Sequence, residues 1–598
     1  MNQINNLFWL NLTNIQIMNK IYSKIQKFYS HYTFQQAKSY ILIIFEKKSG
    51  MYLQKTIIAI LLMSYSILHG QNTVGTIVNT AQSYEGYTLF CPVNSFQSYL
   101  IDNCGRVVNS WTSTHLPGLS AELAPDGSIL RNGRILNSTM SIGGLAGIVE
   151  KFNWDGLREW RYRCSGPDST SHHDFEVLPN GNILLLVVYG KNMSEAIARG
   201  RDSMTNGDNI LYTEAVLEIE PIGLDSGRVV WRWDVWNHLI QDRDSTKANF
   251  GLIADHPERM NINYTGSSSN RDWLHANSID YNPELDQIVI GFSNTREFWV
   301  IDHSTTIAES ASSSGGRYGK GGDILYRWGN PAAYNRGTAA NQILFGPHDI
   351  SWVPAGYPGE GNFMIFNNDD VTGISSVEEF AAPIDSAGFY SNTGTLAYGP
   401  AVADWIHSEP TNTLFNSLRL SSAQRMPNGN TLICSGFAGY FSEVDSLGNL
   451  VWAYRNPVTG TGLLTQGNPV NSGVNSIFSI KRYGPDYPAF NGRMLTAANP
   501  LELNFNLDNC QISTIETNYD DNFSLEIFPN PAEDMIFINN KTNNSTYLIY
   551  NLQGIILRKE YVSEIGNHGI DLSNFLPGTY IIVNSKNPKE ASKFVHKD

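Results

Sequence analysis

A short block of strand, turn and aromatic strand recurs along most of the chain. One version is a strand that follows a Pro-Xaa-Gly turn, at Pro125, Pro179 and Pro427. The other is an acidic strand, a glycine turn and a strand ending in an aromatic residue, at 99–111, 149–160, 216–231, 324–328 and 441–452. Repeated strand blocks closed by an aromatic residue are typical of a β-propeller. We predict an all-β protein with a six-bladed β-propeller at 83–508. A pair of β-sandwiches is the alternative, because the block spacing is irregular.

Composition agrees with this fold class and narrows the possible partners. The 598 residues include 51 Gly, 29 Tyr, 27 Phe and 13 Trp, with only 16% charged residues, as in turn-rich β proteins. The net charge is −15 and the isoelectric point is about 5.3. A nucleic-acid partner would require a basic face, so we expect none.

The N-terminal part predicts export. Residues 1–50 show no clear periodicity, whereas 51–70 combine one lysine, an apolar run and a small or polar end, as a secretory signal peptide does. We therefore interpret Met51 as the true start and 1–50 as an upstream misreading, with a real extension as the alternative. The apolar run is too short for a stable membrane span.

The C-terminal part predicts a separate domain. Residues 509–522 are polar and predict a linker, and 523–598 predict a small β-sandwich. This last segment resembles the sorting domain of Bacteroidetes type IX secretion cargo, through Phe528-Pro-Asn-Pro, Tyr550-Asn-Leu-Gln-Gly, Asp571-Leu-Ser, Pro577-Gly-Thr-Tyr and a basic tail. The resemblance implies the type IX secretion machinery as a partner. It also implies passage through the periplasm and across the outer membrane to the surface or medium.

Five cysteines are present, at positions 91, 104, 164, 434 and 510, and none has zinc-type spacing. Cys91 and Cys104 flank a predicted hairpin and could pair. Buried free thiols are the alternative.

Three histidine motifs precede apolar strands in the propeller region: Ser171-His-His-Asp-Phe, Asp272-Trp-Leu-His-Ala-Asn and Phe345-Gly-Pro-His-Asp. A propeller brings equivalent positions of successive blades to one funnel mouth, so three imidazoles could converge there. The His-Asp pairs could instead satisfy backbone groups at strand starts. Three histidines also suggest a metal site, but nothing shows that the neighbouring aspartates face the same point. We expect no metal and no cofactor.

These motifs, with the predicted fold, resemble the bacterial arylsulfate sulfotransferase family over most of residues 100–458. The match comprises His172-His-Asp-Phe with its Pro-Asn-Gly-Asn, Trp273-Leu-His-Ala-Asn, Gly346-Pro-His-Asp, Gln424-Arg-Met-Pro-Asn-Gly-Asn, and Glu443 with Trp452. The resemblance implies transfer of a sulfuryl group from a phenolic sulfate ester to a phenol, through a sulfohistidine and without a nucleotide sulfate donor.

The resemblance also implies roles for individual residues. His348 matches the sulfated histidine, and His275 with Asn277 matches the second histidine and its asparagine. Either His172 or His173 matches the first, and we favour His173. Arg296 matches the family's arginine, with Asn294 as the competing match for that position. Pro347 occupies the position where the family has glutamine. The expected catalytic residues are His348, His275, His173, Asn277 and Arg296, and the expected substrate contacts are His172, Arg425 and Trp273, with Tyr189 a further aromatic candidate.

The residue types suit this chemistry. A neutral imidazole is nucleophilic near pH 7. Further histidines can protonate the leaving phenolate, while arginine or asparagine can hold the sulfuryl oxygens. Two other functions stay open on the sequence, namely hydrolysis of an aryl sulfate and a non-catalytic propeller that binds glycan or protein.

Overall fold

The structure is a computed structural model, and it describes residues 72–202, 209–264, 271–368, 373–391, 394–507, 510, 525, 527–551, 556–573, 575, 577–585 and 587–597. Segment 1–50, the predicted signal peptide at 51–70 and all of the predicted linker except Cys510 lie outside these residues. Within them, helix is confined to α1 (Met193–Ala198), α2 (Ile307–Ser310) and six 3₁₀ turns at Val235–Asn237, Ile253–Asp255, Pro331–Tyr334, Ala339–Asn341, Gly436–Ala438 and Pro488–Phe490. The predicted all-β class is confirmed.

Antiparallel sheets follow one another along the described chain. The first three contain β2 (Tyr87–Pro92), β3 (Gln97–Asp102) and β4 (Val107–Thr112); β5 (Pro117–Leu123), β6 (Ile129–Arg134), β7 (Gly147–Phe152) and β8 (Arg158–Arg163); and β9 (Ser169–Val177), β10 (Ile183–Asn192), β11 (Ile210–Ile222) and β12 (Ser226–Asp234).

The next three sheets repeat the pattern. They contain β15 (Ala276–Asn282), β16 (Gln287–Phe292), β17 (Glu297–Asp302) and β18 (Tyr326–Trp328); β19 (Pro347–Trp352), β20 (Phe363–Asn367), β21 (Ser376–Phe380) and β22 (Trp405–Ser408); and β23 (Ser422–Arg425), β24 (Thr431–Ser435), β25 (Tyr440–Val444) and β26 (Leu450–Arg455). Two-stranded pairs are formed by β13 (Leu239–Ile240) with β14 (Met260–Asn261), and by β27 (Val458–Thr459) with β28 (Gly462–Leu463).

Strands from the two ends of this region close the arrangement. The late strand β29 (Ile477–Tyr483) pairs with β2 and completes the first sheet, and β1 (Gly75–Asn79) pairs with β26, ahead of the predicted start at residue 83. The innermost strands contact one another in a closed cycle, β29 to β5, β9, β15, β19, β23 and back to β29. Such a cycle is the architecture of a β-propeller, which hides sheet edges by radial repetition. The blade number of six stays a prediction that these sheets support.

The repeated sequence blocks have defined places in this architecture. The Pro-Xaa-Gly turns join the first two strands of their sheets and place glycine at positive φ, with Gly127 at 86°, Gly181 at 85° and Gly429 at 89°. The aromatic residues end the fourth strands, where tryptophan indole N–H groups donate to carbonyls of the next sheet: Trp111 to Asn153 (2.9 Å), Trp160 to Ser226 (2.7 Å) and Trp452 to Asn103 (2.7 Å). The last of these bonds joins the sixth sheet to the first.

The C-terminal residues form two further sheets. One contains β30 (Ile527–Phe528), β31 (Met535–Asn540) and β34 (Gly566–Asp571), and the other β32 (Ser545–Asn551), β33 (Ile556–Val562), β35 (Gly578–Asn584) and β36 (Asn587–His596). Apolar side chains of both sheets share one core, which includes Ile536, Ile549, Ile582 and Phe594. The predicted small β-sandwich is confirmed.

The cysteine pairing suggested by the hairpin is wrong. Cys104, in the turn between β3 and β4, forms a disulfide with Cys510, 406 positions further along the chain. Cys91 is a buried free thiol, with its Sγ 2.8 Å from the Ser98 hydroxyl. The disulfide therefore ties the chain that leaves the propeller back to the first sheet.

Candidate active site

The three histidine motifs lie at the starts of the innermost strands of three successive sheets. His172 and His173 are in β9, His275 immediately precedes β15, and His348 is the second residue of β19. The imidazole centroids of His173 and His275 are 4.7 Å apart. A ring from a fourth inner strand, Phe478 of β29, lies 6.0 Å from His173 and 6.3 Å from His348. Three imidazoles from different sheets thus converge.

Bulges in the inner strands aim these side chains. Regular pairing is interrupted between Ser171 and Phe175, between Ala276 and Ser278, and between His348 and Ser351. At the same places His173, His275 and Asp349 have φ of 51°, 55° and 55°. Non-glycine residues rarely adopt this conformation, and it persists where the surrounding structure imposes it, often at active sites. A bulge changes the direction in which a side chain points. Here bulges in three sheets lie beside the converging histidines.

A glycine turn between β6 and β7 packs on two of the rings. A Cβ at Gly144 would lie 2.3 Å from ring atoms of His173, and one at Gly143 would lie 2.9 Å from His275 Cε1. Any larger residue would displace the imidazoles. The Gly144 carbonyl also accepts a 2.7 Å hydrogen bond from the His173 backbone N–H.

His348 is set up as a neutral imidazole. Its pKa is lowered to about 4, because burial and the His275 charge lower it and hydrogen bonds with Gly346 and Asn368 offset only part of that effect. Its Nδ1 lies 3.3 Å from the Gly346 carbonyl oxygen. Since a carbonyl only accepts hydrogen bonds, Nδ1 carries the hydrogen and Nε2 keeps a lone pair. Nε2 is therefore available as a nucleophile.

His275 is set up to carry a proton. Its Nδ1 lies 2.7 Å from the Asp272 carboxylate, and 19% of its side-chain surface stays exposed. Burial lowers the pKa of His275, but the Asp272 hydrogen bond and the charges of Asp272 and Glu214 outweigh burial and leave the pKa raised. Its Nε2–H can then donate to a bound group.

His172 and His173 differ in access. His172 has no exposed surface, and it lies between Glu214 (Nε2 to Oε2, 2.9 Å) and His173 (Nδ1 to Nδ1, 2.9 Å). It cannot contact substrate there, contrary to the expectation from sequence. Burial, with the charges of His275, His172 and His348, holds the pKa of His173 well below its usual value. Of the two, His173 is the one that contacts His275.

Asn277 acts on the backbone. Its side chain is fully buried, and its amide nitrogen donates to the Pro347 carbonyl at 2.7 Å. The bond joins the second histidine segment to the residue before His348. The Asn277 amide nitrogen is thus bonded to the backbone immediately before His348.

Arg296 lies in the hairpin turn between β16 and β17, which packs on the His275 segment. The turn is held by the Asn294 amide, which donates to the Asp272 carbonyl at 2.7 Å. The Arg296 guanidinium is 5.6 Å from the centroid of Phe345, three residues before His348, and its buried Nε has no hydrogen-bond partner among the described residues. Arg296 is therefore a cation beside the His348 segment.

Two expected substrate contacts lie elsewhere. Trp273 is completely buried, and its indole donates to the Tyr264 carbonyl at 2.6 Å. Arg425 forms a buried ion pair with Glu379 and donates to Thr431 Oγ1 at 2.6 Å. Neither side chain reaches the histidines. The aromatic candidate Tyr189 is covered by the Arg232 guanidinium at 4.6 Å.

The aspartates after the histidines serve another purpose. The Asp174 carboxylate accepts from the Ile279 backbone N–H at 3.1 Å, and that of Asp349 from the Ala423 N–H at 2.9 Å. Both bonds join neighbouring inner strands. They agree with the alternative interpretation, in which the His-Asp pairs satisfy backbone groups at strand starts. Both aspartates line a separate cavity of about 600 Å³. Burial and nearby carboxylates raise the pKa of Asp349 to about 7.

Three residues that contact the histidines were not predicted from the sequence. Glu214 and Phe478 contact the histidines from outside the three histidine motifs, and Asp272, at the start of the second motif, contacts His275. The signal for Glu214 was an acidic residue among buried positions of a long strand, and Asp272 precedes His275 by three positions. Among the described residues, no group of three or more His, Cys, Asp or Glu side chains is arranged to hold a metal ion. No helix in the described ranges has the length and hydropathy to cross a membrane.

Solved structures resemble the chain only distantly. A protein of unknown function from Bacteroides caccae has a TM-score of 0.36 and 11% identity, over 67% of this chain and 99% of that one. A streptogramin B lyase has a TM-score of 0.31 and 12% identity, over 70% and 96%. The β-propeller domain of Myceliophteria thermophila Cps50 (Swd1) has 0.32 and 12%, over 65% and 90%. Similarity at this level carries no argument about activity.

Family models match two parts of the chain. Residues 94–385 match arylsulfotransferase (ASST), and 526–597 match the secretion system C-terminal sorting domain. No curated protein matches the chain. The first match contains His173, His275 and His348, and both resemblances inferred from the motifs are confirmed. The chain therefore carries an arylsulfotransferase-family domain, followed by a sorting domain that assigns the protein to secretion and the cell surface.

Proposed function

We propose that the protein transfers a sulfuryl group from a phenolic sulfate ester to a phenol, without a nucleotide sulfate donor and through a sulfated His348. The observation that supports this most is the convergence of imidazoles with different hydrogen-bond partners, a backbone carbonyl for His348 and a carboxylate for His275. His348 is neutral with a free Nε2, and His275 beside Asp272 favours the protonated form. A nucleophile and an acid are the two groups that the cleavage step needs.

In the first half-reaction the Nε2 lone pair of His348 attacks sulfur. A bond forms between nitrogen and sulfur, and the sulfur–oxygen bond to the aryl group breaks. The phenolate leaves with the electron pair of that bond and takes the Nε2 proton of His275. The product phenol then departs.

In the second half-reaction an acceptor phenol attacks the sulfur of sulfohistidine. The new sulfur–oxygen bond forms, the sulfur–nitrogen bond breaks, and the electron pair returns to His348 Nε2. The phenolic proton passes to an imidazole of the site. Arg296 stabilises the sulfuryl oxygens as a cation, and Asn277 acts by holding the Pro347 carbonyl before the nucleophile.

The test is a colour assay on the purified full-length protein with 4-nitrophenyl sulfate, with and without an added phenol. We expect nitrophenol release to rise with phenol and to stop at about one equivalent per protein without it. Release indifferent to phenol would indicate hydrolysis instead. No release from any of a panel of aryl sulfates, together with no sulfated protein by mass spectrometry, would contradict the proposal and favour a binding propeller.

Replacing Asp272 with asparagine tests the proposed role of His275 as the general acid. The Asp272 carboxylate raises the pKa of His275, so Asp272→Asn lowers it, and the alkaline limb of the rate profile moves to lower pH. We expect the rate with phenyl sulfate at pH 8 to fall by about 100-fold. The rate with 4-nitrophenyl sulfate should fall much less, because that leaving group needs little protonation. Equal losses with both donors would exclude this role of His275.

A further inference from the structure

A buried chain of three side chains leads from the third strand of the β9 sheet to the site. Glu214 in β11 contacts His172 Nε2 through Oε2 at 2.9 Å, and His172 Nδ1 lies 2.9 Å from His173 Nδ1. Glu214 is only 3% exposed. The other carboxylate oxygen, Oε1, accepts the Ala276 backbone N–H at 3.1 Å, immediately after His275. One carboxylate therefore contacts two of the three histidine segments.

The hydrogen-bonding capacities along this chain set the position of each proton. An ionised carboxylate only accepts, so His172 Nε2 donates to Glu214. With a single ring hydrogen, held on Nε2 by Glu214, His172 has a lone pair on Nδ1, and His173 Nδ1 donates to it. Burial and the neighbouring imidazoles keep His173 neutral by lowering its pKa. A neutral ring with its hydrogen on Nδ1 has a lone pair on Nε2, on the side away from His172.

We propose that Glu214 is a positioning residue that, through His172, fixes His173 in the tautomer with a free Nε2 and so makes His173 the proton acceptor for the acceptor phenol. This inference rests on the proposed function and deepens it. His275, whose Nδ1–H is held by Asp272, serves the leaving phenolate, and His173 serves the attacking phenol.

The proton balance of one turnover closes. His275 gives its Nε2 proton to the leaving phenolate in the first half-reaction. In the second, the phenol O–H gives its proton to His173 Nε2 while the sulfur–nitrogen bond breaks, and the Glu214 charge stabilises the imidazolium through His172. The proton then passes from His173 to His275, whose ring centroid is 4.7 Å away and whose pKa is the higher of the two.

The test separates the two half-reactions in the full-length protein. Glu214→Gln keeps the size of the side chain and removes its charge. We expect the burst of nitrophenol from 4-nitrophenyl sulfate, which reports the first half-reaction, to keep its rate and amplitude. Turnover with saturating phenol should fall by about 100-fold, and Glu214→Asp should restore part of it.

Glu218→Gln is the matched control, because Glu218 is a buried carboxylate of the same strand that contacts a histidine away from the site, His303, at 3.0 Å. Both variants should unfold at similar temperatures, and only Glu214→Gln should lose phenol turnover. A Glu214→Gln variant that loses burst and turnover equally would overturn the positioning role in favour of a purely structural one, as would equal turnover losses in both variants. Absence of any burst in the wild type would instead refute the proposed function.

Discussion

Replacing His348 with alanine is expected to reduce phenol-dependent nitrophenol release by at least about 1,000-fold, because the Nε2 atom of His348 makes the bond to sulfur in the proposed reaction, whereas His173 and His275 only move protons. Wild-type protein incubated with donor in the absence of phenol and then quenched should gain the mass of one sulfuryl group. The same change should remove this mass increment. Kinetics and intact mass should therefore change together.

His256→Ala is the control for this prediction. His256 is a partly exposed side chain that contacts Glu258 at 2.9 Å, and it lies outside the three histidine motifs. It should leave both measurements unchanged. Sulfation that persists in His348→Ala would place the nucleophile elsewhere, and His173 and His275 would then be the residues to replace.

Replacing Cys510 with serine is expected to lower the free energy of unfolding by about 2–5 kcal/mol. The disulfide to Cys104 spans 406 positions, so its loss frees the unfolded chain from a very long closed loop. It also releases the segment after β29, the strand that completes the first sheet. Denaturant unfolding of the oxidised protein measures the difference, and Cys104→Ser should give the same value.

Cys164→Ser is the matched control, because Cys164 is a free, partly buried thiol that follows β8 and takes no part in the disulfide. The free energy of unfolding of the Cys164→Ser variant should differ little from that of wild type. Reductant should destabilise this variant and wild type to the same extent. Reductant should have no further effect on Cys510→Ser. Equal stability of oxidised wild type and Cys510→Ser would show that strand pairing alone holds the ring of sheets closed.

Local chemistry explains the parts of the fold that could be predicted. A Pro-Xaa-Gly turn requires a residue at positive φ, which Gly127 and its equivalents supply, and the strands beside it follow from β-branched and aromatic residues. The histidine motifs were found for the same reason, because each lies at the start of an inner strand. Which side of the strand each residue faces was less predictable.

The bulges are the physical reason why the facing of these side chains could not be predicted from the sequence. Alternation along a strand assigns faces only while pairing stays regular, and pairing is interrupted in β9, β15 and β19 beside the histidines. His172 and His173 are adjacent and both buried, yet one faces Glu214 and the other faces the site. Trp273 and Arg425 were expected at the substrate and lie in a core and in an ion pair instead.

The amino-acid sequence by itself determined the all-β class, the repeated strand blocks, the sorting domain and the three histidine motifs, because turns, strand propensity and short motifs are local properties. Tertiary structure decided which distant groups meet. The pairing of Cys104 with Cys510, the Asn277 bond to Pro347, and the contact of Glu214 with His172 all join segments far apart along the chain. Strand pairing within one sheet brings Glu214 to His172, and packing of neighbouring sheets together with closure of the ring brings the other two pairs within bonding distance.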